Sequence, residues 1–394
     1  MLGALFAGDA TRAELARRLD ITRSTVGSLV EELVDAGLVR ERAVEIRPAR
    51  APGRPGTRLA LVPGGACFLG ASVGVDGVTV VALDLAARTL HRAHEAADGR
   101  ARAPADTATA VARLIGGVAA RLPRTAAIAG AGVAVPGFLD ADGGCHAALL
   151  GWRGAPLHRL LRDARPAIPG PSPAILNDAD AVAAAEHRAW RDPRTPAPGA
   201  GGAIGEPDVA VVLLEHGVGL GVVRGGRLPA NRRHGADELG HLPTGRPGWL
   251  DGGGHPERLE AHVGRDALLA RWRSLGGSAA GGLDAFVATL GAGDPVAARV
   301  ADGWALALAQ GLAGLVALVD VERIALAGSV AALHPFVADR LARRFAGLLP
   351  PGRAPVAIAR SRVREDGAAV GAALALHRAF LDGDAPPVER RRTA

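Results

Sequence analysis

The stretch from Asp208 to His241 constrains the fold more than any other part of the chain. It opens with the apolar run Val209 to Leu214, too short for a core helix and rich in β-branched residues, and therefore reads as a strand. Gly217, Gly219 and Gly221 follow at every second position, and Gly225-Gly226 marks a further turn. Glycines so spaced let a strand turn back on itself, or let a neighbouring backbone or ligand come close. The stretch ends in Glu238-Leu239-Gly240-His241, a carboxylate and an imidazole three residues apart that can face one pocket. Spaced glycines alone mark mostly hairpins, and the combination of strand, glycine hairpin and acid–histidine pair is a much stronger signal.

With 394 residues the chain has room for two or three domains with substantial cores. Hydrophobic residues make up 48% of it, yet no uninterrupted apolar run reaches membrane-spanning length. The opening residues turn polar too early for a signal peptide and lack a basic leader. A soluble, cytoplasmic protein without membrane contact is the expectation. The net charge is +6, and since lysine is absent every basic side chain besides histidine is arginine. Arginine's high pKa explains the basic balance without invoking nucleic acid. Cys67 and Cys145 are too few for a disulfide framework or a four-cysteine zinc site, and read as small buried hydrophobes.

The first sixty residues carry their own pattern. Thr11 is a plausible N-cap for a helix to Leu19 with Leu15 and Leu19 on one face. Thr22 caps a second helix with Val26, Leu29, Val30 and Leu33 on its buried side, stopping near Gly37. Two helices joined by a tight turn, the second longer, make a helix-turn-helix. The exposed start of the second helix offers Thr22, Arg23, Ser24 and Ser28 to a major groove. Beyond it, Leu38 to Arg40 and Leu59 to Leu61 bracket a hairpin wing. Between Arg40 and Arg58 six arginines face two glutamates. Arg54, held among prolines and glycines, suits a minor groove, and Arg58 closes the same wing. A solvated interaction module is the blander alternative, and the arginine-rich wing favours double-stranded DNA as the partner.

After the linker Val62 to Gly65, three strands (Phe68 to Val75, Gly77 to Asp84, Arg88 to His94), a helix (Thr107 to Arg121) and a strand (Ala127 to Val135) follow in order. That order begins a ribonuclease-H-like lobe. Ala174 to Asp178 reads as a strand ending in Asn177-Asp178, with a helix from Ala179 to Trp190. A carboxylate at the C-terminal end of a strand lies where open α/β sheets keep their ligands. The alternative is that Asp178 only caps the helix. The Pro/Gly-rich segment 191–207 reads as an exposed loop. Beyond the stretch from Asp208 to Glu260 the chain reads as helical apart from Arg323 to Ala327, with helices at Ala301 to Val319 and Gly367 to Phe380.

These motifs resemble the ROK family, which comprises actin-like sugar kinases and transcription factors built on the same two-lobed body. The segment Thr11 to Val39 resembles the winged helix of ROK repressors, including Gly-Arg-Pro-Gly at residues 53–56. It is shorter than usual at its start, which leaves a trimmed first helix and a longer true N-terminus as alternatives. The resemblance implies an α/β fold: an N-terminal winged helix-turn-helix (1–62), then a duplicated ribonuclease-H-like, actin-like body. The body divides into a first lobe (66–190), an interlobe loop (191–207), a second lobe with a closing C-terminal helix (208–382) and a tail (383–394).

Residue by residue, the resemblance implies a sugar site and damaged phosphate loops. Gly137 ends the strand leading to the sugar cleft, Asn177 meets a sugar hydroxyl, and Asp178 takes the position of the catalytic base in a kinase. Glu238, His241 and Glu260 complete the sugar set. The first phosphate loop falls on Ser72 to Asp76, where Asp76 brings a negative charge to phosphate. The second falls on Glu215 to Gly221, with His216 at the threonine position and Glu215 adding another carboxylate. Gly328-Ser329 matches the adenosine-side turn. The family's zinc cysteines fall on Asp251, Gly253 and Arg258, so neither zinc nor ATP is expected as a cofactor. Glu260 is left without the metal that braces its segment. The expectation is a regulator, in character a repressor of carbohydrate metabolism, that senses a sugar and binds its operator as a homodimer or homotetramer. An active sugar kinase and a DNA-binding dimer with a silent body are the alternatives.

Overall fold

The computed structural model of the chain describes residues 1–42, 57–123, 126–164, 168, 173–191, 208–228, 238–249, 255–278 and 280–384. Its N-terminal unit contains α1 (Leu2–Phe6), β1 (Ala10–Thr11), α2 (Arg12–Leu19), α3 (Arg23–Asp35), β2 (Val39–Arg42) and β3 (Arg58–Leu61). Thr11 starts α2 with a reciprocal cap, accepting the Glu14 N–H while the Glu14 carboxylate accepts its own N–H. Asp20 takes a left-handed φ of 52° between the two helices, and Thr22 accepts the Thr25 N–H to start α3. The strands form an antiparallel sheet in the order β1-β3-β2. Leu15, Val26, Val30, Val39 and Leu59 close a core beneath it, with Leu33 at its margin. Leu29, expected inside, is only half-buried. The wing between β2 and β3, Arg54 included, lies outside the described residues.

The first lobe is built on β4 (Cys67–Gly74), β5 (Gly77–Asp84), β6 (Thr89–Ala96), α4 (Pro104–Ala120) and β7 (Ile128–Val135). A small three-stranded sheet, β8 (Phe138–Leu139), β9 (Cys145–Ala147) and β10 (Trp152–Ala155), precedes α5 (Leu157–Asp163). β11 (Ala174–Asn177) then leads directly into α6 (Asp178–Trp190). The main sheet runs β11-β7-β4-β5-β6, with the β4-β5-β6 meander antiparallel and β7 and β11 parallel to β4. Every residue of β7 is buried, as a central parallel strand covered on both faces requires.

The second lobe contains β12 (Val209–Leu214), β13 (Val218–Val223), α7 (Glu260–Val263), α8 (Arg265–Ser274), α9 (Gly282–Gly291) and α10 (Pro295–Leu318). It continues with β14 (Arg323–Ala327), α11 (His334–Ala346) and β15 (Ala357–Arg360), and the described chain closes with α12 (Gly367–Asp382). Its sheet is ordered β13-β12-β14-β15. β15 corrects the expectation of a single strand beyond the hairpin: its Ala-Ile-Ala-Arg pairs in parallel with β14 on the sheet edge. α10 begins at Pro295, earlier than expected, because Asp294 caps it by accepting the Ala297 N–H. This helix is long and apolar enough to cross a membrane, but Trp304, Leu308 and Leu312 bury its inner face in the second-lobe core.

Two features tie the parts together. α12 lies on the first-lobe sheet, where Ala369, Ala373 and Phe380 share a core with Phe68 and Leu83. Leu2 and Phe6 of α1, with Leu38 and Leu61, pack against that same core. The Phe6 ring lies 4.8 Å from the His377 ring, under the Arg188 guanidinium at 5.1 Å.

Candidate functional site

The predicted site residues are organised around β13, on which α6 packs. Gly219 and Gly221 point the same way along it, and a side chain at either would strike α6: a Cβ at Gly221 would stand 2.3 Å from the Ala179 carbonyl oxygen. Their lack of side chains lets the start of α6 lie directly on the hairpin, with Asp178 Oδ1 4.0 Å from the Cβ position of Gly219. The one-turn 3-10 helix Leu239–His241 packs on β13 as well, with Gly240 against the Val218 carbonyl. One strand therefore gathers Asp178 from the first lobe and the Glu238–His241 turn from the second.

Asn177 is the residue that caps α6: its Oδ1 accepts the Ala179 and Asp180 N–H groups at 2.8 and 3.1 Å. Its Nδ2 donates to the Gly137 carbonyl at 2.9 Å, which fixes the end of β7 against the end of β11. Gly137 holds a φ of 144°, and the His146 carbonyl sits where a side chain would go. Asp178 is thus relieved of capping as its main task, although its Oδ1 also accepts the Ala179 N–H at 2.8 Å. Burial pushes the Asp178 carboxyl up to about 7. The Ala179 N–H works against the rise, and the charges of Glu215 and Glu238 add to it. Glu238 also lies 3.8 Å from the His241 imidazole. Glu260 starts α7, is buried, and directs Oε2 to within 3.2 Å of the Cβ position of Gly217.

The segment carrying Glu260 is braced without metal. Leu259 N–H donates to Leu242, Thr244 N–H to Glu257 and Trp249 N–H to Ala261, stitching it to the Glu238 side of the cleft. The Thr244 hydroxyl lies 2.9 Å from the Glu257 carbonyl and 3.0 Å from His262 Nε2, locking the crossing. These bonds hold the segment that, by the resemblance, has lost the family's metal. The donors do not suit zinc: Arg258 occupies one cysteine position and pairs with Pro243 in a β-bridge, while Asp251 and Gly253 lie outside the described residues. Among the described residues, no group of three or more His, Cys, Asp or Glu is placed to hold a metal.

Side chains of the protein itself fill the region expected for phosphate. His216 Nε2 lies 3.3 Å from Asp76 Oδ1, and its Nδ1 lies 3.0 Å from Asp266 Oδ1. Arg265 donates to Asp76 Oδ2 at 2.7 Å, and Arg100 is bonded to Asp266. Glu215 turns away towards Ser329, accepting its N–H at 2.8 Å and its hydroxyl at 2.5 Å. Burial raises the Glu215 carboxyl, and the two Ser329 bonds oppose the rise. Arg100, Arg265 and Asp266 escaped sequence reasoning, since no local motif marks residues whose partners lie 49 to 189 positions away.

In the N-terminal unit, Arg23, Ser24 and Ser28 are exposed along the leading face of α3, and Arg58 is exposed on β3. The Thr22 hydroxyl is committed locally, to the Thr25 N–H and to the Ser24 and Thr25 hydroxyls. Arg12 pairs with Glu41 at 2.5 Å and Arg42 with Asp9 at 3.6 Å, linking the wing base to α2 and its approach.

Comparison with known proteins agrees with this architecture. The ROK family pattern matches residues 68–379, and a MarR family pattern matches residues 2–47. The chain belongs to the ROK family and carries an N-terminal winged helix of MarR type. It is similar to the crystal structure of a ROK family transcriptional regulator, a homologue of the E. coli MLC protein. That likeness has 20% identity and a TM-score of 0.72 over 95% of this chain and 93% of the other. A ROK hexokinase from Thermus thermophilus is 27% identical, with a TM-score of 0.61 over 80% of this chain and all of the hexokinase. A glucokinase from Aeropyrum pernix is 34% identical over 147 residues, spanning 32% of this chain and 45% of that enzyme. The chain thus matches less than half the length of that curated relative.

Proposed function

We propose that this protein is a sugar-responsive, DNA-binding transcriptional regulator, a repressor of carbohydrate genes that acts in the cytoplasm and does not phosphorylate its effector. The observation that carries the reading is one cleft with two unlike halves. Asp178, Glu238 and Glu260 gather around β13 and are able to accept hydroxyl hydrogens, while Asp76 and His216 pair with each other at the positions expected for phosphate and Glu215 is bonded to Ser329. The cations there are already paired with Asp76 and Asp266 rather than left to a polyphosphate. The double-stranded operator meets the exposed face of α3 through Arg23, Ser24 and Ser28, with Arg58 and Arg54 on the wing. Asn177, Gly137 and His241 act on the sugar set partly by holding its frame. A homodimer or homotetramer presents two such heads to a palindrome. Sugar that binds one lobe arrangement better than another shifts the placement of the heads.

Selection of genomic fragments by the purified protein, repeated with a panel of free and phosphorylated sugars, tests this reading. Recovery of a palindromic site that one sugar releases is the expected result. A site indifferent to every sugar supports the alternative of a dimer with a silent body. The kinase alternative is kept by the likeness to the Thermus thermophilus hexokinase. Turnover of ATP with any hexose by the purified protein would establish it and remove our reading.

A further inference from the structure

The turn between β4 and β5 carries Asp76, and the turn between β12 and β13 carries His216. The first hairpins of the two lobes therefore meet tip to tip. Four contacts of this cluster cross between lobes: Asp76 to His216, Asp76 to Arg265, Arg100 to Asp266 and Arg100 to His216. Within the second lobe, His216 and Asp266 join them into one chain of alternating charge. Three cations enclose two carboxylates, and the Glu215 carboxyl, raised by burial, lies beside His216 and Arg265.

Isolated exposed ion pairs contribute little. This set differs because its centre is shielded. The His216 side chain is only 12% exposed, and those of Arg265 and Asp266 are 24% exposed, with Asp76 and Arg100 outside them. We propose that Asp76, Arg100, His216, Arg265 and Asp266 form a charge clasp that holds the two lobes closed over the cleft without any bound nucleotide. The clasp is a property of the protein alone. Its bearing on the operator rests on the regulator reading: effector entry and release must then pass through the open form, and apparent affinity scales with the population of the binding-competent form.

The clasp has a built-in pH limit. His216 faces Asp76 from the β4–β5 turn, Arg100 from the segment after β6, Arg265 and Asp266 from α8, and Glu215 beside it in the chain. Burial alone lowers the imidazole, but Asp266 and Asp76 overcome it and raise it to about 9. His216 is therefore charged at neutral pH and bridges two carboxylates. The folded value exceeds the ordinary 6.5, so the contribution is complete below pH 6.5 and is lost as pH rises through about 9. The chain contains no lysine and no tyrosine, and burial pushes Cys67 and Cys145 up to about 11. Few other groups titrate between neutral pH and about 10.

The test is a distance measurement between spin labels on the full-length protein, at Arg121→Cys in the first lobe and Asp339→Cys in the second. Both positions are exposed, whereas the native cysteines are buried. We expect one narrow distribution near neutral pH, and a broader, longer one at about pH 10. Asp76→Ala and Asp266→Asn should give the broad form already at neutral pH, and Arg113→Ala, which breaks a first-lobe pair with Glu95, should not. The same distribution at both pH values and in both clasp variants overturns the proposal. Should either variant fail to fold, the pH series on the labelled parent decides alone. A clasp that opens as described while no sugar alters operator binding would leave this inference standing and remove the regulator reading.

Discussion

Asp178 shows how far a single residue can be moved by its setting. Free carboxyls of its kind titrate at 3.8, whereas burial and the neighbouring Glu215 and Glu238 charges place this one at about 7. Between those two values the folded protein holds a proton that the unfolded chain has released, so stability falls as pH rises through that window. Asp178→Asn removes the penalty. Thermal melting should show the variant more stable than the parent above pH 7, by on the order of a few kcal/mol, with the gap closing towards pH 4. A gap that persists unchanged at low pH would show that the effect is steric. Arg23 makes the other residue-scale case. It is exposed at the first position of α3, and Arg23→Ala should weaken operator binding by about 1–3 kcal/mol, measured by fluorescence anisotropy at fixed salt. No loss of affinity would place α3 away from the bases.

At the scale of elements, what the sequence made legible follows from where the determining interactions lie. β12, β14 and α6 were readable because a buried strand or an amphipathic helix writes its pattern into consecutive residues. The caps Thr11 and Thr22 were readable because capping is local. β15 was not: Ala357-Ile-Ala-Arg360 is short, lies at the edge of the sheet among the described strands, and becomes a strand by pairing with β14. The assignment of the cap to Asn177 rather than Asp178 was equally hidden, since it depends on Gly137 arriving from β7 to receive the Asn177 amide. The brace at Thr244 was invisible because its partners, Glu257 and His262, lie 13 and 18 residues further along the chain. Thr244→Val keeps the shape of the side chain and removes these bonds. It should cost about 1–2 kcal/mol in urea unfolding and lower effector affinity through Glu260. Unchanged stability and affinity would show that the backbone bonds of Leu259 and Trp249 suffice.

For the whole molecule, the matter is how one body serves both cleft and head. α6 begins at the sugar-side residues Asn177 and Asp178, and near its other end Arg188 lies over Phe6 of the N-terminal unit. α12 packs beside it and carries His377, whose ring contacts Phe6 and Phe68. The head is thus seated on the lobe that supplies Asp178, and the second lobe reaches it across the cleft. The ROK body and winged helix were legible from motifs, whereas the contacts between lobes were not, because they join charges far apart in the chain. The most direct measurement is operator occupancy by the purified protein, titrated with the sugar identified in the fragment selection, for the parent and Asp178→Ala. Our account predicts that the parent leaves the operator as sugar rises, with no ATP required, while Asp178→Ala binds the same operator and ignores the sugar. Equal release of both proteins, or release that depends on ATP, would contradict it.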